Sequence, residues 1–380
     1  MTLQIDHFRA GTSAAEEALQ DLGRADALFV RQEWTDALRA SNPTIAVEWW
    51  VARYDRGMCA VPVHTQQGSP SRAAYDVSRV FDAELGTGAL NDLEHSLIGT
   101  RNGQANGFLR SGENDPMAEC ALLEAVVKHH AQGVIAMLYV DAALARRVQA
   151  LRPRPAVSRL IDATARMSLT SRSIDEFIDG VVGRRRRMKI RQELRRASNE
   201  TPLAVFDDAE QITRLAPKLA PLARAVNERH GQETTDEKMR SYIESIAGSG
   251  LRSVLFLGGG EDAPRSFAIG VTDGTSLSVR TCGFDYGAIK DGPTEYARCV
   301  VYGPMQWALD NGISNLDLGT GTLHAKTLRG ADAVPLYGAA WSPFADGPDR
   351  SAAAEGTLVR SLLESTPRLD AEEVHSWRIA

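Results

Sequence analysis

The sequence predicts a mixed α/β protein built as two lobes, and three observations carry that expectation. The chain has 380 residues, too long for one ordinary domain and well suited to two. Hydrophobic residues make up 43% and charged residues 24%, the balance of a globular protein with a sizeable core in each half. A helix–glycine–strand pattern also occurs twice. His130-Ala131-Gln132-Gly133-Val134 is answered 179 residues later by Leu309-Asp310-Asn311-Gly312-Ile313. A repeat that long points to a duplicated domain rather than to a solenoid, whose periods are roughly 20 to 50 residues.

In chain order, residues 14–22 read as a short amphipathic helix. Residues 45–52 (IAVEWWVA) and 58–64 (MCAVPVH) are strand-like, and Asp55-Arg56-Gly57 between them signals a hairpin. Pro62 suggests a sheet edge or strand end, since it donates no hydrogen bond to a ladder. Residues 68–72 read as loop and 97–108 as irregular. Residues 120–132 read as a helix stopped by Gly133, and 134–140 (VIAMLYV) as a buried strand. Residues 151–155 (LRPRP) break the pattern and mark the crossing between lobes. A basic helix is expected at 174–197, a helical region interrupted by Pro217 and Pro221 at 209–229, and a helix at 235–246. Strands at 253–257, 266–272 and 276–282, with turns at Gly258-Gly259-Gly260 and Asp273-Gly274, form an antiparallel meander. A helix at 294–310, Gly312, a strand at 315–318 and a tail helix at 352–363 complete the reading. The expected domains are 1–155, 156–345 and a helical tail at 346–380.

The net charge of −6 means that any anion binding is local. The four cysteines have neither metal-ligand nor redox spacing and sit in apolar stretches, as expected of reduced thiols in a cytoplasmic protein. No signal peptide is visible, and no apolar run approaches the roughly 18 residues of a membrane span. No histidine pair comes with a third ligand in sequence, so no metal site is expected.

Four segments collect chemistry. The densest is 184–196 (RRRRMKIRQELRR), with eight basic residues against the one acid Glu193, a local charge of +7. On a helix Arg184, Arg187, Arg191 and Arg195 share one stripe, beside an apolar stripe of Ile190, Leu194 and Ala197. Two readings stand: a site for phosphates of a coenzyme or an RNA backbone, or a solvated face paired with acidic neighbours. The second segment is 316–330 (LDLGTGTLHAKTLRG). A strand ends at Asp317, turns through Gly319 and Gly321, and is followed by His324, Lys326 and Arg329. Glycines admit close backbone approach, and a lysine in a dry cleft holds phosphate or offsets an oxyanion. The third is 283–296 (GFDYGAIKDGPTEY), where Tyr286 and Tyr296 are proton donors or core packing. The fourth is Asn227-Glu228-Arg229-His230, where Glu228 and Arg229 are candidate substrate contacts, as are His324 and Tyr296.

The order basic helix, helices, meander, proline-containing helix, glycine, strand and glycine-rich exit with lysine, from Arg184 through Trp341, resembles the acyltransferase domain of Fem-type aminoacyltransferases and related bacterial acetyltransferases of the GNAT superfamily. The residues that carry it are RRRRMKIRQELRR and GFDYGAIKDGPTEYARCVVYGPMQWALDNGISNLDLGTGTLHAKTLRGADAVPLY. Fem-type proteins are tandem GNAT lobes, so the resemblance implies two GNAT-like lobes, each a mixed, mostly antiparallel sheet flanked by helices. It implies transfer of an acyl or aminoacyl group to an amine, without a tightly bound cofactor. The co-substrate is aminoacyl-tRNA or acyl-CoA, and tRNA is a possible partner. The paired glycines of the acyl-CoA pyrophosphate loop are replaced by GFDYGAIKDGPTEY. Lys326 stands where the family places a channel lysine, so it is expected to meet donor phosphate or the developing oxyanion. Asp317 is the candidate for orienting or deprotonating the amine and Tyr286 for protonating the leaving group. Arg184, Arg187, Arg191, Arg195, Gly319, Gly321 and Arg329 are the candidate donor contacts. The alternative is a non-catalytic RNA- or phosphate-binding protein on a degenerate GNAT scaffold.

Overall fold

The structure is a computed structural model that describes residues 3–25, 27–67, 73–81, 85, 94–200, 202–289, 292–343, 351–367 and 369–377. The loop expected at 68–72 lies outside them. The chain divides into two compact units: Met1–Ala163 with Pro335–Ala380, and Thr164–Val334. The stretch from Pro335 onward thus joins the first unit, rather than closing the second lobe and forming a separate tail.

Unit 1 contains strands β1 (Gln4–Arg9), β2 (Arg24–Ala25), β3 (Ala46–Tyr54), β4 (Gly57–Gln67), β5 (Glu94–Ile98), β6 (Leu109–Gly112), β7 (Val134–Val140), the first part of β8 (Val157–Ser168) and most of β14 (Asp332–Trp341). Its helices are α1 (Ser13–Leu19), α2 (Gln32–Ser41), α3 (Val77–Val80), α4 (Pro116–His129), α5 (Ala142–Gln149), α13 (Ser351–Ser365) and α14 (Ala371–Ser376). The sheet runs β1-β3-β4-β5-β7-β14-β8, with β6 beside β4 and β2 beside β6. The β3–β4 hairpin turns at Asp55-Arg56 as expected. Gly57 serves a different need: a Cβ there would lie 2.2 Å from the Ser111 carbonyl oxygen, so glycine lets β6 approach.

Pro62 is neither at an edge nor at a strand end. It lies within β4, opposite Trp49. On its other side β6 pairs with residues 57–60 and β5 with residues 63–67. The Gly99 N–H still donates to Pro62 O at 2.7 Å, so the proline accepts a bond at the end of the β5 ladder and gives up only its own donor. Helix α4 starts at Pro116, four residues before the sequence signal. Asp115 caps it by accepting from the Met117 N–H at 2.9 Å and the Ala118 N–H at 3.3 Å. Ala118, Leu122, Leu123, Val126 and Val127 bury its inner face.

Unit 2 contains the end of β8, then β9 (Leu203–Phe206), β10 (Arg252–Gly259), β11 (Pro264–Thr272), β12 (Ser276–Phe284) and β13 (Asn315–Asp317). Its helices are α6 (Ile174–Gly180), α7 (Arg184–Glu200), α8 (Ala209–Arg229), α9 (Asp236–Ala247), α10 (Gly292–Tyr296), α11 (Gly303–Asp310) and α12 (Leu323–Thr327). The strand order is β8-β13-β12-β11-β10-β9. The expected meander is β10–β12. The single basic helix expected at 174–197 is two helices, because Gly183 takes φ +94° and breaks the run. Helix α8 runs unbroken through Pro217 and Pro221, contrary to expectation. Thr213 and Pro217, whose carbonyls lose their donors, lie on the exposed face, open to solvent. The opposite face buries Ile212, Leu215, Ala216, Leu219, Ala220 and Ala223. Between α10 and α11 the chain passes through a π turn at Ala297–Tyr302.

Among the pairings described, each unit has a parallel strand pair: β5 with β7, and β12 with β13. The helix before the second strand of each pair is the one that the sequence echo picks out. Each unit is a mixed, mostly antiparallel sheet flanked by helices.

Candidate functional site

In unit 2 the parallel pair is short. Ser276, Leu277 and Ser278 face Asn315, Leu316 and Asp317, and β13 then ends while β12 continues to Phe284. The chain leaving β13 stays with β8: the Leu318 N–H donates to Ala165 O at 2.9 Å, and the Ala165 N–H to Gly319 O at 3.2 Å. It is therefore drawn away from β12. On its other side β12 carries a bulge at Arg280, where Ile269 and Gly270 face Thr281 and Val279. The two strands part at this level.

Lys326 sits beside this opening. It comes from α12, is 4% exposed, and its Nζ donates to Gly319 O at 3.0 Å. Its charge reaches Cys282 on β12. Burial pushes that thiol up to about 11 against the pull of the lysine. A buried ammonium beside a parted strand pair is a fixed positive charge in a poorly hydrated place, where it acts more strongly than in water.

Asp317 ends β13 and accepts three hydrogen bonds, from Thr164 Oγ1 at 2.8 Å, the Gly319 N–H at 2.8 Å and Arg166 Nε at 3.1 Å. A carboxylate so occupied ties the strand end to β8 and to the glycine turn. Thr164 and Arg166 belong to β8, a strand the sequence reading passed over, although its buried positions Ala163, Ala165 and Met167 alternate.

A second group forms around the end of β12. The Phe284 ring lies 6.2 Å from Tyr286 and 5.9 Å from Tyr296. Tyr296 Oη shares a 2.7 Å hydrogen bond with Thr322 Oγ1 on the loop before Lys326, and burial raises its hydroxyl to about 12. The Arg229 guanidinium stacks 4.6 Å over the half-exposed Tyr286 ring. Burial raises the Tyr286 hydroxyl, against the pull of Arg229, so it stays protonated near neutral pH. Glu228 turns instead to Arg224 at 2.7 Å. His324 is half-buried, and its Nδ1 finds no hydrogen-bond partner among the described residues. Glu295, in the first turn of α10, is buried and accepts from Ser266 Oγ at 3.0 Å, so its charge anchors that helix.

The basic helix meets this region through residues that the stripe argument did not choose. Arg186 donates to the carbonyls of Thr327 and Leu328. Glu193 binds Arg329 through two of its guanidinium nitrogens, Nε at 2.9 Å, and accepts from Tyr302 Oη at 2.7 Å. Arg329 is buried and lies 6.0 Å from the Tyr296 ring centre. The stripe itself looks largely to its own neighbourhood. Arg187 donates to Val181 O at 2.9 Å, Arg191 pairs with Asp179 at 2.6 Å, and Arg195 donates to Arg191 O at 3.3 Å. Arg184 and Arg195 are exposed. The one acid in a run of cations is the residue that ties the run to the Lys326 loop, because only an acid neutralises the buried Arg329. Its isolation among cations was the available signal.

The structure thus brings Lys326, Gly319, Cys282, Tyr296, Arg329, Tyr286 and Arg229 into one connected set of contacts, with Asp317 holding the strand end. No helix among the described residues is long and apolar enough to cross a membrane.

Residues 184–327 match the family model described as acetyltransferase (GNAT) domain. Among solved structures, FemX is 12% identical with TM-score 0.54, covering 87% of this chain and 96% of that one. The C-terminal domain (DUF2156) of a candidate lysylphosphatidylglycerol synthetase from Agrobacterium fabrum is 12% identical with TM-score 0.50, covering 92% and 95%. A tandem GNAT protein from the clavulanic acid biosynthesis pathway is 12% identical with TM-score 0.49, covering 92% and 100%. A search of curated proteins finds no match. The 184–327 region, which contains the parted strands and Lys326, is thus similar to a GNAT domain, within a chain that shares its fold with FemX.

Proposed function

We propose that this protein is an N-acyltransferase. It moves an acyl or aminoacyl group from an activated donor, aminoacyl-tRNA or acyl-CoA, to an amine of a small metabolite, peptide or cell-wall precursor. The observation that carries this reading is the parted β12/β13 pair with the buried Lys326 ammonium beside it.

The donor is already an ester or thioester, so the site needs positioning and charge stabilisation more than side-chain nucleophiles. The acceptor amine attacks the donor carbonyl between the parted strands. Negative charge builds on the carbonyl oxygen, and Lys326 offsets it. The leaving alcohol or thiol takes a proton from Tyr286, whose raised hydroxyl keeps it until then, and the proton that the amine loses passes through solvent to restore the Tyr286 hydroxyl. Asp317, with three donors on it, positions the strand end rather than acting as a base. Arg184 and Arg195, exposed on α7, meet donor phosphates, and Tyr296 and Arg229 line the acceptor side.

A second reading, a phosphate- or RNA-binding protein without catalysis, draws support from one observation. Asp317 and Arg329 are both occupied by internal partners. One experiment separates the two. The purified chain is incubated with a panel of amines and either acetyl-CoA or charged tRNA, and products are read by mass spectrometry. Transfer from one donor is the expected result and identifies that donor. Retention of tRNA with no product from either donor overturns the transferase reading and selects the second.

A further inference from the structure

The last turn of α4 lies against β3 in unit 1, and there three polar side chains converge for which the acyltransferase reading has no use. His129 ends the helix, His130 caps it, and Glu48 projects from β3. Their potential ligand atoms all lie within 4.8 Å of one another. Glu48 Oε2 and His130 Nε2 stand 3.9 Å apart. Both atoms are buried and neither has a hydrogen-bond partner among the described residues. The separation is too long for a hydrogen bond. Two buried, unpaired polar atoms facing each other are costly unless something bridges them.

We propose that Glu48, His129 and His130 bind one divalent transition-metal ion, with Zn2+ as the reference ion. Two imidazoles and one carboxylate suit zinc and its neighbours, whereas magnesium and calcium favour all-oxygen sets. Zinc bonds of about 2.0–2.2 Å in a tetrahedron put ligand atoms about 3.3–3.4 Å apart. Separations of up to 4.8 Å shrink by as much as about 1.5 Å to reach that spacing. His129 is exposed and Glu48 half-buried, so both have room to move. The surroundings already hold the rings. Ser96 Oγ lies 3.4 Å from His130 Nδ1, on the side of the ring away from Nε2, as an outer partner that sets ring orientation. The His129 ring packs 5.2 Å from Trp50 and 5.1 Å from His7, and His7 stacks on Trp50 at 4.8 Å. Solvent completes the coordination on the exposed His129 side.

The sequence spacing argued against a metal site because adjacent histidines lacked a third ligand. The fold supplies that ligand from a strand 81 positions earlier, counting from His129 to Glu48. All three ligands belong to unit 1, so the ion pins the end of α4 to β3 within that unit.

The full-length chain, stripped with EDTA and dialysed, is titrated with Co2+ and then Zn2+. One equivalent of Co2+ is expected to give visible d–d absorption bands, and Zn2+ is expected to abolish them. His129→Ala and Glu48→Ala are each expected to weaken binding by at least about 100-fold, more than loss of an outer-sphere partner does. His375→Ala, elsewhere in unit 1, is expected to bind as the wild type does. Absence of stoichiometric Co2+ and Zn2+ binding by the wild-type chain overturns the site without reference to any variant. Unchanged affinity in both ligand variants overturns it as well.

Discussion

The two parallel strand pairs are built alike and finished differently. In unit 1, β5 and β7 stay in register over four residue pairs, His95–Ile98 against Val134–Met137. Beyond them the Asn106 side chain closes the gap. Its Nδ2 donates to Ile98 O and Leu138 O, both at 2.9 Å, and its Oδ1 accepts from the N–H groups of Thr100 and Gly107. All four hydrogen-bonding positions of the amide are used. Gly99, at φ +81°, makes room: a Cβ there would lie 1.8 Å from Asn106 Oδ1. In unit 2, β12 and β13 share three pairs, and among the described residues no side-chain amide is seen bridging them beyond that point. The strand exit turns toward β8, and the buried Lys326 stands beside the opening. A strand opening closed by a satisfied neutral amide has nothing left to offer a ligand. One flanked by an ammonium does. The proposed acyl transfer therefore belongs to unit 2, with unit 1 as its sealed counterpart.

Four changes break or sharpen this contrast. The largest effect is expected at Lys326. Lys326→Met should lower turnover by about 10³-fold, or about 4 kcal/mol of transition-state stabilisation, with an unaltered circular dichroism spectrum. Unchanged turnover would leave the two openings functionally alike. Next is Glu193→Ala, which strands the buried Arg329 charge. A loss of about 3 kcal/mol in urea unfolding is expected, and a loss below about 0.5 kcal/mol would show that Arg329 rehydrates freely. Asn106→Leu should follow, at about 2 kcal/mol, because four backbone groups lose their partner at once. Stability equal to the wild type would mean that water seals unit 1 as well as the amide does.

The smallest effect is a pH dependence in unit 1. His64 is fully buried on β4, and burial, with the nearby Arg101 charge, pushes its imidazole down to about 3. A depressed basic group stays neutral in the fold while the unfolded chain takes up a proton. Its contribution is complete above pH 6.5 and is lost as pH falls toward about 3, with a slope of at most about 1.4 kcal/mol per pH unit. Urea unfolding free energies between pH 7 and pH 5.5 should fall by about 1.2 kcal/mol in the wild type and flatten in His64→Leu. Equal slopes would show that His64 does not set the acid limit.

Much of this architecture was legible before any coordinates. The β3–β4 hairpin announced itself through two apolar runs around Asp-Arg-Gly, and the β10–β12 meander through its glycine turns. The echo at Gly133 and Gly312 marked the strand that closes each parallel pair. Lys326, Gly319, Tyr286 and Tyr296 were nominated because they cluster within short segments. Strand β8 escaped notice, as did the roles of Glu193, Thr164 and Arg166, since these depend on partners more than 100 positions away. The proline-bearing α8 was misjudged for a related reason. Local rules count the hydrogen bonds a proline removes, while the buried face of the helix decides whether the loss matters.

The amino-acid order by itself determined most element types, the helix–glycine–strand echo and the family resemblance, because periodicity, turn residues and caps act over a few neighbouring positions. Only the tertiary structure decided which charges meet. It gave the arginine stripe local partners, gave Glu193 to Arg329, saturated Asp317 and brought Glu48 to a pair of histidines. Side-chain pairing across a sheet depends on register and strand order, and these follow from how the whole core packs.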